Sequence, residues 1–362
     1  MKYTLKIKDK MLPFPIIQGG MGVGVSLSSL AGNVMKQGCM GVISAAHPGY
    51  RASNFRQDSI TANVQAILEE SKKAREISGG KGLLAINIMA ASKDYITYVK
   101  AAVRAKIDAI ISGAGLPLDL PSYVEDNSIL LAPIVSSGKA AKLICRAWDK
   151  RHNKIPDFIV IESSEAGGHL GFKKDDLLEG KCELLDVIFH DVKKEILPFE
   201  EKYQKQIPII LAGGIFDGKD IANALKLGAS GVQMGTRFIA TNECDVAQEF
   251  KDMVINCKKE DIAIVNSPTG FPGRAIMNKF MKVRQNSENI SVKSCLNCLT
   301  PCNPSFTPYC ISEALIQAAK GNVDHGLVFV GSNAYRVNKM VSVKELIEEL
   351  IFDMRKELGE VL

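Results

Sequence analysis

Residues 207–238 read IPIILAGGIFDGKDIANALKLGASGVQMGTRF. An apolar run of strand length ends in Ala212-Gly213-Gly214-Ile215, a segment of helix length follows, and a second run ends in Gln233-Met234-Gly235-Thr236-Arg237. Continuous apolar runs suit strands buried on both faces of a parallel sheet, where no solvated face calls for alternating polar residues. Upstream the same alternation recurs in PIIQGG at 15–20, MGVISAA at 40–46, GLLAINIM at 82–89, DAIISGAG at 108–115, ILLAPIVSS at 129–137 and DFIVIES at 157–163. Each run is followed by a segment of helix length. Eight such units predict an α/β chain closed into a (β/α)8 TIM barrel.

Barrels of this kind build their active sites at the C-terminal ends of the strands. Nearly every run here ends in glycine or small polar residues there, among them Gly19, Gly20, Ser112, Gly113, Ser136 and Ser137. The two glycine turns after the last strands stand where barrels bind phosphate. Glycine lets backbone approach a ligand, and N–H groups near a helix start can meet phosphate oxygens. Thr236 adds a hydroxyl and Arg237 a charge. Either turn alone reads equally well as a tight turn; the pair points to an anion site.

A second constellation follows the sixth strand, Glu162-Ser-Ser-Glu165-Ala-Gly167-Gly168-His169. Small residues there let backbone lie close to a planar ligand, and a histidine at a strand end can move protons near neutral pH. His47, after the second strand, is a weaker candidate, and His152, His190 and His325 lie in polar segments without an expected role. Asn87 and Gln233 each offer donor and acceptor groups to a heteroaromatic edge, or equally cap a turn. Gln18-Gly19-Gly20-Met21-Gly22 would bring backbone amides and a soft thioether against a flat ring.

Composition narrows the classes. An apolar fraction of 46% with 23% charged residues is ordinary for a globular protein, and no stretch approaches the apolar length of a membrane span. The net charge of +5 comes from 45 basic and 40 acidic residues spread along the chain, which favours a solvated surface over a nucleic-acid interface. The first twenty residues lack the apolar run of a secretory signal, so a cytoplasmic protein is expected. A homodimer is compatible with the sequence. The barrel core is expected over 1–244, with a helical, cysteine-containing extension over 245–362 packed against it.

Taken together, PIIQGGMG, AIN, SGAG, EAGGH, LAGGI and VQMGTRF resemble the nitronate monooxygenase family, once called 2-nitropropane dioxygenases, which is related to the flavin-dependent enoyl-ACP reductases. The resemblance covers about residues 10–240. It implies an oxidoreductase with FMN held by Gly20, Met21, Gly22, Asn87, Glu162, Gly167, Gly213, Gly214, Gln233, Met234, Gly235 and Thr236, and His169 as the catalytic residue. In the monooxygenase reading an alkyl nitronate is the small-molecule substrate and O₂ the oxidant. The alternative is an FMN enoyl-ACP reductase fed by NAD(P)H and acting on an enoyl thioester. Glu162 stands where many of the monooxygenases carry glutamine, and GFPGRAIMNKF at 270–280 resembles a segment of the enoyl reductases. A flavin-free isomerase or aldolase on a phosphate-binding barrel is a third reading, but no strand-end lysine or paired carboxylates support it.

Five cysteines, Cys39, Cys145, Cys182, Cys244 and Cys257, are scattered and read as buried thiols of a reducing compartment. The other four, Cys295, Cys298, Cys302 and Cys310, form a C-x2-C-x3-C-x7-C array. Thiolates so spaced can hold zinc or an iron–sulfur cluster. The alternative is a reduced, turn-rich loop near the barrel mouth.

Overall fold

In the computed structural model, residues 3–285, 292 and 294–360 are described, and the apolar runs close into a parallel barrel. A hairpin of β1 (Leu5–Ile7) and β2 (Lys10–Leu12) comes first. The wall then runs through β3 (Ile16–Gln18), β4 (Met40–Ser44), β5 (Leu83–Met89), β6 (Ala109–Gly113), β7 (Leu130–Val135) and β8 (Ile159–Glu162). After a two-residue strand outside the wall, β9 (Gly168–His169), it is completed by β10 (Ile209–Ala212) and β11 (Gly231–Met234). β10 pairs with β8, and β11 pairs with β3, so no edge is left open.

The barrel is filled rather than hollow. Ile17, Met40, Val42, Ile111, Leu130, Val160 and Ile210 form one buried cluster with Phe158 and with Leu5, Ile7 and Leu12 of the hairpin. Met40 and Leu130 open their strands and Phe158 precedes one, so the hairpin plugs the N-terminal end of the barrel. Its strands are three residues long, too short for the periodicity reading to register. A second, larger core lies between the wall and the outer helices; Trp148 is fully buried there and donates to the Pro117 carbonyl at 2.9 Å.

After β11 the chain leaves the wall. It builds β12 (Ile262–Asn266) and β13 (Pro272–Ile276), which form a three-stranded antiparallel sheet with β9, and then the helix Ile311–Ala319. It returns as the helix Val343–Glu357, started by a capping box in which Ser342 and Glu345 bond each other's backbone amides. That helix packs between Gly218–Leu227 and Ser28–Lys36. Asp245 fastens the departing chain to the barrel, since its carboxylate accepts from the amides of Leu27, Ser29 and Leu30 at 2.8, 3.2 and 3.1 Å. Among the described residues no helix is long and apolar enough to cross a membrane.

The returning helix approaches so closely at Gly218 that a Cβ there would meet the Met354 amide nitrogen, with the Leu350 carbonyl oxygen 2.6 Å away. Backbone cannot yield as a side chain can. Gly218→Ala should therefore lower the unfolding free energy by about 1–3 kcal/mol, read as a lower urea midpoint at unchanged slope.

Candidate active site

The strand ends open into one cavity of about 280 Å³. It brings together Gly20, Met21 and Gly22 after β3, Asn87 on β5, Glu162 at the end of β8, Gly167 and His169 around β9, Gly213 and Gly214 after β10, and Gln233 through Thr236 after β11. His47 also lines it; His152, His190 and His325 do not.

The local geometry explains the residue types. A Cβ on Gly20 would strike the Asn87 side chain, so only glycine leaves the floor of the cavity flat. Gly213 and Gly214 sit at φ +84° and +79°, the left-handed region that side chains rarely adopt, and turn the chain sharply out of β10. Gln233 Oε1 is buried with no hydrogen-bond partner, an acceptor waiting for a donor. A flat-floored cradle with an unsatisfied amide on its wall and glycine turns at one end fits FMN. Arg237 takes a different part from the one expected of it. Its guanidinium stacks 4.7 Å from the Phe216 ring centre and pairs with Glu349 at 2.8 Å, which locks the returning helix to the last turn.

His169 is held from outside the barrel. β9 pairs with β13, His169 opposite Gly273 and Gly168 opposite Arg274. Its Nε2 lies 2.8 Å from Ser267 Oγ. Thr269 Oγ1 donates to that same oxygen at 3.1 Å. The Phe329 ring meets His169 edge to face, with ring centres 5.1 Å apart. Desolvation pushes the imidazole down to about 4, so it is neutral at physiological pH. Burial acts on Glu162 in the opposite sense, lifting its carboxyl to about 7. Near neutrality that carboxyl is partly protonated and can donate a hydrogen bond, as a glutamine amide does.

His47 sits in a directional chain. Asn63 Nδ2 faces its Nδ1 at 3.4 Å, its Nε2 lies 2.7 Å from Ser312 Oγ, and Ser312 donates to Cys298 Sγ at 3.0 Å. Burial, aided by the nearby charge of Arg56, pushes this imidazole down to about 4 as well.

The metal expectation needs correction. Among the described residues no three His, Cys, Asp or Glu side chains are arranged to hold a metal ion, Cys295, Cys298, Cys302 and Cys310 included. Cys295 is exposed, while Cys298 lines the cavity and spends its sulfur on Ser312. Burial pushes the Cys298 thiol up to about 11 and raises Cys302 and Cys310 too, so these groups stand as thiols. The array is instead a reduced loop laid over the barrel mouth. The Lys93 amide donates to the Cys298 carbonyl at 3.1 Å and the Thr300 amide to that of Ala91 at 3.0 Å.

Sequence reasoning missed the residues of the extension that complete the site. Arg274 Nη1 donates to the carbonyls of Ser164 and Ala166 at 2.5 and 2.6 Å, stapling the loop that carries His169. Ser267, Phe329 and Gly331 through Asn333 reach the same cavity or its walls. The enoyl-reductase-like segment was the one available signal for Arg274; the others carry no motif that marks them.

Comparison with known proteins agrees with this geometry. A model of the family described as nitronate monooxygenase matches residues 4–353. A probable nitronate monooxygenase of Staphylococcus aureus is 25% identical over 295 residues, covering 75% of this chain and 77% of that protein. One from Staphylococcus saprophyticus is 35% identical over 125 residues, about a third of each chain. Among solved structures, FabK from Thermotoga maritima superposes with a TM-score of 0.71 at 25% identity, covering 96% of this chain and 94% of that one. A nitroalkane oxidase from Streptomyces ansochromogenes shares the fold, with a TM-score of 0.70 at 18% identity over 96% and 97% of the two chains. With the family model spanning the barrel, the extension and the returning helix alike, the chain belongs to the nitronate monooxygenase family.

Proposed function

We propose that the protein is an FMN-dependent oxidoreductase that oxidises alkyl nitronates with O₂, and that His169 handles the substrate proton. The observation that carries this reading is a neutral, desolvated imidazole facing the same cavity as the glycine cradle, in a chain that belongs to this family. FMN, when bound, supplies the redox chemistry and the reaction with oxygen. The protein's share is placement. Gly213, Gly214 and Thr236 receive the phosphate end, Gly20 leaves room for the ring, and Asn87 and Gln233 offer amides to its polar edge.

A neutral nitroalkane must lose a proton from carbon to become the nitronate. An unprotonated imidazole can take it at Nδ1, the nitrogen not engaged by Ser267, with Ser267 and Thr269 fixing the ring plane. The imidazolium and the nitronate anion then form an ion pair in a poorly solvated cavity, where each charge stabilises the other strongly. Phe329, Leu296 and Leu299 keep that end of the cavity apolar. Reduction of an enoyl thioester by NAD(P)H is the second reading, favoured by one observation: the enoyl-reductase-like segment forms β13, the strand beside His169. Nine free thiols support a reducing, cytoplasmic setting.

Anaerobic mixing of the purified flavoprotein with an alkyl nitronate, NADH or NADPH separates the readings. Bleaching of the visible flavin band by the nitronate alone is expected; rapid bleaching by a nicotinamide alone would replace it with the reductase. His169→Ala should keep FMN and lose about 10²–10⁴-fold in turnover of a neutral nitroalkane, with a far smaller loss on the preformed nitronate. Equal losses on both substrates would remove the proton-transfer role.

Because the folded imidazole titrates at about 4, below its ordinary 6.5, the active neutral form persists until pH falls well under 6. The acid limb of the wild-type profile should lie near 4, and an inflection near 6.5 would contradict it. Glu162 titrates in the raised direction, so its hydrogen-bond donor is lost as pH rises through about 7. FMN affinity should weaken across that range in wild type and stay level in Glu162→Gln, measured by fluorescence titration of apoprotein.

A further inference from the structure

We infer that Ser332, which lies outside the barrel sequence altogether, is a phosphate ligand of the flavin site; the inference rests on the FMN reading above. Its hydroxyl oxygen is buried and has no hydrogen-bond partner. A hydroxyl left so in a folded protein costs about 1–3 kcal/mol, and natural structures rarely tolerate that without a use for the group.

Its surroundings say what the use is. Three consecutive residues of the extension are each tied to a different loop of the barrel mouth. The Gly331 amide donates to Thr236 Oγ1 at 2.9 Å, the Ser332 amide to the Glu165 carbonyl at 3.1 Å, and Asn333 Nδ2 to the Gly214 carbonyl at 2.9 Å. All three residues line the cavity. The approach is close at Gly331, where a Cβ would stand 3.0 Å from Thr236 Oγ1.

The hydrogen-bond directions set up an anion site. Thr236 Oγ1 accepts from Gly331, so its own proton remains to be donated. Ser332 brings a second uncommitted hydroxyl to the same corner, beside the two left-handed glycines after β10. Two hydroxyl donors converging on glycine turns suit the oxygens of a phosphate monoester. The Glu165 carboxylate, which also lines the cavity, has the Arg274 guanidinium as its charge neighbour. The extension thus completes the phosphate end of the cradle that the barrel begins.

The test compares FMN with riboflavin, which lacks the phosphate, by titrating apoprotein and following flavin fluorescence. Ser332→Ala should weaken FMN by about tenfold or more, the loss of one hydrogen bond to a charged group, and leave riboflavin affinity unchanged. Retained riboflavin binding also certifies that the variant is folded. An unchanged ratio of the two affinities, whether both fall together or neither moves, overturns the assignment while leaving the flavin reading intact. Failure of wild-type apoprotein to bind either flavin would overturn both.

Discussion

The guanidinium of Arg274, donating to the carbonyls of Ser164 and Ala166, joins two parts of the chain that sequence order keeps far apart. The loop after β8 has no wall strand to pair with once it leaves the barrel. Without a partner its carbonyls would face a cavity too dry to satisfy them. Arg274 and the β9–β13 ladder give that loop a fixed path, and His169 inherits its position from it. The site is therefore a joint product: the barrel provides the cradle, and the extension provides the hand that holds the histidine over it.

One physical effect sets the protonation states around the cavity. Removal from water disfavours whichever form carries charge, so it lowers His169 and His47 and raises Glu162, Cys298 and Tyr98. At neutral pH both histidines of the cavity are thereby neutral, although Asp94, Glu165 and Arg237 also line it. A neutral imidazole suits a reaction whose anion is created, or received, inside.

Much of the barrel was legible because the eight wall strands, β3 to β8 with β10 and β11, are largely buried and read as unbroken apolar runs, each closed by small residues. The glycines of the cradle were legible for a related reason: close approach and left-handed turns leave few alternatives at Gly20, Gly213 and Gly214. The extension was opaque. Ser267, Phe329 and Ser332 are ordinary residues whose roles come from contacts with residues 98, 160 and 167 positions away, and no local pattern encodes such distances. The cysteine array misled for the converse reason. Spacing along the chain suggested ligands, whereas burial keeps Cys298 a protonated thiol despite the hydrogen bond that Ser312 donates to its sulfur.

The helix Val343–Glu357 completes the outer layer only after the chain has built the whole extension. During synthesis from the amino end, the groove between Gly218–Leu227 and Ser28–Lys36 must therefore stand open until Val343–Glu357 has been made. Long-range closures of this kind are slow, because the entropy of a large loop is lost before the contacts that offset it form. Until then the nascent barrel exposes an apolar seam. Removing Val343–Glu357 would take away part of the outer wall rather than an ornament.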